Sequence, residues 1–355
     1  MIAAVKKKKA WVAAAIAAIA VLVFSLVFWH WHSTADQTYE STTYAMGTYI
    51  QQTVTGANAQ EAAISASKSV SDLENKISWR IEDSDIARLN RSAGSGSISV
   101  DKKTAEILSL ALDIANRSKG FYDPTVQPLS SLWNFDKDEE IVPAKNEIAK
   151  AVGLVGYKGL SVDSAAETAA LSKVGMGIDL GGIGKGAACS VAIDTYRAAG
   201  VSSAIISAGG SSIGLFGTKA NGTPWCIAVR DPQTPDSNAG TMGNLYLPSG
   251  YVSTSGIYEK YFRKNGVLYH HLLNPQTGYP QNNGLVSVTV VAENGPLSDG
   301  LSTACFVLGR EKSAALLEHY NAGAIFIDEN NHVYVTKKLI GKFKITNQKY
   351  SLASS

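Results

Sequence analysis

Twelve residues near the middle of this 355-residue chain constrain it most: Gly175-Met176-Gly177-Ile178-Asp179-Leu180-Gly181-Gly182-Ile183-Gly184-Lys185-Gly186. The order predicts a short apolar strand that carries one carboxylate, Asp179, and runs into a glycine cluster. A helix should follow, because Ala188, Val191, Ala192 and Thr195 recur at i, i+3, i+4 and i+7. Glycines let the backbone turn sharply and let a ligand approach the main chain. A helix N-terminus adds unpaired N–H groups that suit an anion. The segment therefore reads as a seat for a phosphate-bearing ligand, with Lys185 as added positive charge. A bare strand-to-helix turn with no ligand is the competing reading. It is not a Walker A loop, since Gly186 stands where Ser or Thr should follow the lysine. Nor is it the dinucleotide fingerprint, because Gly182, Gly184 and Gly186 are evenly spaced by two.

The N-terminus carries a different signal. Lys6 to Lys9 form a basic run, and the 20 residues from Ala10 to Trp29 contain no charge. About 20 such residues suffice for a membrane-spanning helix. Trp29 and Trp31 fit the far interface. Ser33-Thr34-Ala35 offers a cleavage site for a signal peptide, but the apolar run is long for one, so an uncleaved anchor is the favoured reading. The lysines predict an N-in orientation. The expected division is a basic N-terminus over 1–9, a transmembrane helix over 10–29, a linker over 30–40, a single large domain over 41–345 and a tail over 346–355. Four of the 32 basic residues precede the apolar run, so 28 face 30 acidic ones beyond it. That balance argues against non-specific nucleic-acid binding. The three cysteines, Cys189, Cys226 and Cys305, lie far apart in apolar settings and read as buried free thiols.

Along the domain, Thr43 to Val54 reads as a strand holding Met46-Gly47-Thr48, and Ala59 to Ile77 as a helix. Ser84 and Asp101 should cap two further helices. Residues 121–126 form a loop, followed by the aromatic Leu132-Trp133-Asn134-Phe135 and a solvated acidic turn over 136–140. Strands are expected at Ala204 to Ile206, Trp225 to Arg230, Asn244 to Leu247, Gly256 to Arg263, Val267 to Leu273 and Leu285 to Ala292, with Asn265-Gly266 as a hairpin turn. A helix over Leu297 to Leu308 and a final hairpin over Ala324 to Val335 complete the pattern. Helices interleave with mostly antiparallel strands and no regular βαβ alternation appears, so the fold class is α+β.

Three clusters could carry chemistry. Asp299 and Thr303 lie four apart at the start of a helix and so share one face. A carboxylate with a hydroxyl suits a hard cation such as Mg²⁺, although acid at a helix N-terminus is also favourable in its own right. Two adjacent histidines, His270 and His271, precede Asn274-Pro275-Gln276-Thr277-Gly278. On a strand they point to opposite faces, so only one can serve a given site. The third cluster is Ser253-Thr254-Ser255-Gly256-Ile257-Tyr258, which lacks the nucleophile-elbow pattern.

In order and spacing these pieces resemble the ApbE family, the FAD:protein FMN transferases. The matching residues are Met46-Gly47-Thr48, Ser84 to Asn90, Tyr122 to Val126, Asp179 to Gly186, Gly209-Gly210, Ser255-Gly256, His271 with Pro275, Thr277 and Gly278, and Asp299 with Thr303. They cover residues 40–345. Asn274 departs from the usual Asp before the proline, and Ser207 and Ser211 replace the usual Asn or Asp around the double glycine.

The resemblance implies a T-fold-related α+β architecture of mixed, mostly antiparallel sheets with packed helices, behind the transmembrane helix. It implies Mg²⁺-dependent transfer of FMN from FAD to a Thr or Ser hydroxyl of an acceptor flavoprotein on the extracytoplasmic side, with release of AMP. Met46, Trp79, Phe121, Tyr122 and Tyr258 suit the flat rings of FAD. Asp123, Asp179, Lys185, Ser255 and Gly256 complete the expected FAD contacts. The metal is expected on Asp299, Thr303 and a backbone carbonyl at Gly177. His271 is the expected base, with Asp179 next in line. An FAD pyrophosphatase and a flavin-binding module without turnover remain the two alternatives.

Overall fold

The structure, a computed structural model, describes residues 11, 15–25, 37–137, 140–219, 221–234 and 240–353. The basic run 6–9 and much of the expected span lie outside these. Trp11 and residues 15–25 are helical and exposed, and among the described residues no helix is long and apolar enough to cross a membrane.

In chain order the strands are β1 (Gln37–Ala45), β2 (Thr48–Gly56), β3 (Ile98–Ser99), β4 (Leu160–Asp163), β5 (Thr168–Leu171), β6 (Ser203–Ala208), β7 (Ser212–Phe216), β8 (Trp225–Arg230) and β9 (Thr241–Leu247). They continue as β10 (Gly250–Gly256), β11 (Tyr261–Lys264), β12 (Val267–His270), β13 (Leu285–Ala292), β14 (Gly323–Asp328), β15 (His332–Val335), β16 (Phe343–Ile345) and β17 (Ser351–Leu352). The helices are α1 (Ala59–Ile77), α2 (Asp85–Arg91), α3 (Lys102–Arg117), α4 (Gln127–Trp133), α5 (Lys145–Val152), α6 (Gly184–Ala198), α7 (Gly295–Leu308) and α8 (Arg310–His319).

One nine-stranded sheet, ordered β1-β2-β6-β7-β10-β13-β14-β15-β17, organises the molecule. All its pairings are antiparallel except β15 with β17. The sheet itself runs from Gln37 at the start of β1 to Ser351–Leu352 of β17. One face is covered by α1, α6 and α7. On α1 the buried Ala59, Ala62, Ala63, Ala66, Val70, Leu73 and Ile77 make the apolar stripe that packs there. The three-stranded sheet β16-β9-β8 covers the other face toward the β15 end. Strands covered on both sides carry apolar residues in both directions. On β14, Ala324 and Phe326 join the helix-side core, and Ile325 and Ile327 join the core under the small sheet. A smaller cluster of Leu129, Trp133, Ile148, Phe262 and Leu273 ties α4 and α5 to the β11–β12 hairpin.

Three expectations need correction. The strand expected over Thr43–Val54 is a hairpin, because Met46 (φ 56°) and Gly47 (φ 68°) both take the left-handed conformation that a two-residue turn requires. The strand expected over Gly256–Arg263 breaks after Gly256. The Tyr258 ring folds into the space a side chain at 256 would fill, with Cε1 2.5 Å from the Cβ position. Cys226 is exposed on β8, whereas Cys189 and Cys305 are buried. Asp136 keeps its place in an exposed turn and there pairs with both Arg80 and Lys260.

Candidate active site

The glycine segment is not a strand. Residues 177–179 run extended beside 124–126, where Asp179 N–H donates to the Pro124 carbonyl (2.8 Å) and Gln127 N–H to that of Gly177 (3.3 Å). On the other edge the Asn90 amide takes the place of a strand. It accepts from Ile178 N–H (2.6 Å) and donates to the Ile178 carbonyl (3.0 Å). Asp179 Oδ1 then accepts Gly181 N–H at 2.8 Å and bends the chain toward α6. No N-cap side chain serves α6; Gly184 N–H donates to the Leu180 carbonyl (2.8 Å) and Ala187 N–H to that of Ile183 (3.1 Å), which leaves the N–H groups of Lys185 and Gly186.

One of those donors is taken by the neighbouring helix. Asp299 Oδ2 accepts Gly186 N–H at 2.9 Å. Contact this close is possible because α6 and α7 meet glycine to glycine. A Cβ on Gly186 would lie 2.0 Å from the Gly295 carbonyl oxygen, and one on Gly295 would lie 1.9 Å from that of Gly186. Asp299 is only 3% exposed, yet it forms no ion pair among the described residues. One turn on, Thr303 Oγ1 lies 3.3 Å from Ser255 Oγ. The Tyr122 hydroxyl is buried without a hydrogen-bond partner. Burial, then the charges of Asp299, Asp179 and Asp123, push its pKa well up. A buried carboxylate without a cation, beside an orphaned hydroxyl, is the donor set that a hard metal ion completes. The residues fit Mg²⁺. Gly177 is not the third member that comes up against Thr303. Its carbonyl accepts from Gln127, and its Cβ position is 2.3 Å from Gln127 Oε1. The main chain beside Thr303 is that of Gly182, whose Cβ position is 3.2 Å from Thr303 Oγ1.

The two histidines part as strand geometry requires. His270 turns into the core, edge-on to Phe306, with Nε2 3.1 Å from the Gln281 carbonyl and Nδ1 accepting Leu272 N–H. His271 is half-buried, with Nδ1 3.3 Å from the Lys260 carbonyl. A carbonyl only accepts, so Nδ1 carries the proton and Nε2 keeps a free lone pair. Burial first, then Lys185, His270 and Lys260, push the His271 pKa down to about 3. The influence of Lys185 places this imidazole within electrostatic reach of the glycine turn. Asp136 ties Lys260 to Arg80, whose guanidinium lies 4.2 Å over the Trp79 ring.

The sequence model of the ApbE family matches residues 46–326, a range that holds the glycine turn, the buried acid and both histidines. The chain belongs to the ApbE family. It is 32% identical over 290 residues to the FAD:protein FMN transferase of Treponema pallidum, covering 78% of this chain and 79% of the relative. Against the FAD:protein FMN transferase of Vibrio cholerae it is 30% identical over 273 residues, 76% of this chain and 80% of the other. Among solved structures, the ApbE protein of Thermotoga maritima superposes with a TM-score of 0.78 at 32% identity, covering 86% of this chain and 99% of that one.

Within the ApbE frame, the residues expected to touch FAD divide. Met46 sits at the lip of α6, its Cε 3.1 Å from the Cβ position of Gly184. Lys185 makes no hydrogen bond or ion pair among the described residues and is half-buried beside the turn. Trp79 and Phe121 are half-buried at the rim, with Lys312 Nζ 5.4 Å over the Phe121 ring. Asp123 is occupied internally. Its oxygens accept from Thr125 N–H, the Thr125 hydroxyl and Tyr157 N–H, so it braces the loop that presents Tyr122. Tyr258 is packed between Gly256 and the Arg230 guanidinium, 4.6 Å from its ring centroid, and does not stand free to stack on a flavin. It lines a cleft with Gly209, Gly210, Arg230 and Glu259. Ser255 is buried behind Thr303. The family departure at Asn274 is absorbed locally: Oδ1 accepts Gln276 N–H, and the amide donates to Gln281 Oε1 at 2.8 Å.

Sequence reasoning gave no role to Gly182, Gly295, Glu259 or Asp136. Gly295 alone had a readable signal, a glycine before Pro296 at a helix start beside a candidate metal acid.

Proposed function

We propose that this chain is an FAD:protein FMN transferase that moves FMN from FAD to a Thr or Ser hydroxyl of an acceptor protein and releases AMP. The observation that carries this reading is the buried Asp299 carboxylate, which lacks a cation and accepts from the first turn of α6, together with a histidine, free at Nε2, that feels the charge of Lys185 on that turn. Asp299, Thr303 and the main chain at Gly182 would hold Mg²⁺, which when bound neutralises phosphate charge at the breaking pyrophosphate link. The open Lys185 N–H in the first turn of α6 and the Lys185 ammonium bind and orient the phosphates. Nε2 of His271 accepts the proton of the acceptor hydroxyl. That oxygen bonds to the phosphorus of the FMN half, and AMP leaves with the electron pair of the broken P–O bond.

The acceptor is placed on the extracytoplasmic side, since Lys6 to Lys9 ahead of an uncharged run favour an N-in anchor. The test is incubation with FAD, Mg²⁺ and a candidate acceptor, read by intact mass and AMP release. Acceptor mass should rise by one FMN for each AMP formed. AMP without an adduct would make the chain an FAD pyrophosphatase, and retained FAD without AMP would make it a binding module.

A further inference from the structure

The hydroxyls behind the proposed metal pair can be given directions, because some acceptors cannot donate. Ser302 Oγ lies 2.8 Å from the Asp299 carbonyl, so its single proton points there. The 2.8 Å contact between Ser255 and Ser302 must then be donated by Ser255. With that proton used, the 3.3 Å contact between Thr303 and Ser255 has only one direction left, from Thr303 to Ser255. The result is a closed relay, Thr303 to Ser255 to Ser302 to the carbonyl of Asp299. It is buried, with Ser302 wholly covered and Ser255 7% exposed. Its effect is to turn the Thr303 proton away from the site and leave the oxygen lone pairs facing it.

We propose that Ser255 is a positioning residue that presets Thr303 as a metal ligand, rather than a flavin contact. This rests on the reading of Asp299 and Thr303 as the metal pair. Without Ser255, helix geometry offers the Thr303 proton the carbonyl of Asp299 one turn back. Rotation toward it swings the lone pairs off the site. The 3.3 Å separation is long for such a bond, and coordination of Thr303 to a cation makes its hydroxyl the stronger donor that this contact needs. Partners that orient a ligand without touching the metal typically contribute about 10–100-fold in affinity.

The test uses the full chain and Mn²⁺ alone, titrated by electron paramagnetic resonance of the free ion without FAD. Ser255→Ala should weaken Mn²⁺ binding about tenfold or more. Ser302→Ala should weaken it less, by freeing Ser255 to donate toward Thr303. Ser253→Ala removes the neighbouring hydroxyl on the same strand face, which bonds Ser298 at 2.8 Å, and should leave binding within about twofold. Metal-free thermal midpoints of the three variants separate folding loss from ligand orientation. Wild-type binding with an unchanged Ser255→Ala, or equal losses in Ser255→Ala and Ser253→Ala, would overturn the assignment of Ser255. A wild-type chain that binds no Mn²⁺ would overturn the metal reading itself, and this proposal with it.

Discussion

Gly186→Ala puts a single methyl group where two helices touch. The new Cβ would lie 2.0 Å from the Gly295 carbonyl oxygen, 2.5 Å from the Gly295 carbonyl carbon and 2.7 Å from Asp299 Cβ, against a practical lower limit of 3.0 Å. None of the three is the end of a flexible side chain, so α6 and α7 must separate by about 1 Å at this point. Overpacking of this kind costs about 1–3 kcal/mol. The displacement also lengthens the 2.9 Å bond from Gly186 N–H to Asp299, and a hydrogen bond to a charged acceptor contributes about 1.5–3 kcal/mol. The combined loss is about 3–6 kcal/mol, which for a domain of this size lowers the melting temperature by roughly 6–12 °C. Thermal and urea unfolding followed by circular dichroism measure it, with Mn²⁺ affinity as the companion readout. Gly184→Ala is the contrast, since the atom met there, at 3.1 Å, is the flexible Met46 Cε and the loss should stay below about 1 kcal/mol. A Gly186→Ala protein within about 1 kcal/mol of wild type, with unchanged Mn²⁺ binding, would refute the close-approach reasoning.

Asp299→Ala should keep the fold but lose divalent-dependent AMP release; full activity would remove it from the metal site. His271→Ala should bind FAD nearly as wild type and transfer FMN about 10²–10⁴-fold more slowly, while His270→Ala should keep transfer once corrected for the folded fraction. Stability should fall on acidification. Burial holds His270 down to about 4, while the unfolded chain titrates near ~6.5, so the unfolded state binds more protons between those values. His270 accounts for about 3 kcal/mol of that loss between pH 7 and 4, seen as a falling urea midpoint; His271, held down to about 3, adds to it, so His270→Asn should remove only its own share of the slope. Protease added to intact spheroplasts should digest the large domain, and protection until lysis would reverse the proposed topology.

Much of this was legible before any coordinates. The alanine stripe of α1, the Ser84 and Asp101 caps and the four-residue spacing of Asp299 and Thr303 are local patterns with local causes, and each element formed where the pattern placed it. The hairpin at Met46-Gly47 was missed because methionine seldom takes a left-handed conformation. For Asp123 and Tyr258, residue type tells chemistry but not the neighbours, and only the fold shows the protein groups that each already meets. The Ser255 hydroxyl illustrates the same limit, for its direction is set by Ser302 across a helix–strand contact that no spacing rule reveals. Gly177 and Gly182 are five residues apart in one glycine run, and only the path of the chain decides which meets Thr303.

The hydrogen bond from Gly186 to Asp299 joins residues 113 positions apart. A chain emerging from the ribosome therefore makes α6 long before the acid that receives its first turn exists. Until α7 arrives, the Gly186 N–H has no acceptor, and the nine-stranded sheet still lacks β14, β15 and β17. Loops this long close slowly. Any fragment ending before Thr303 lacks the proposed metal pair, so on that reading partial synthesis yields no partial enzyme.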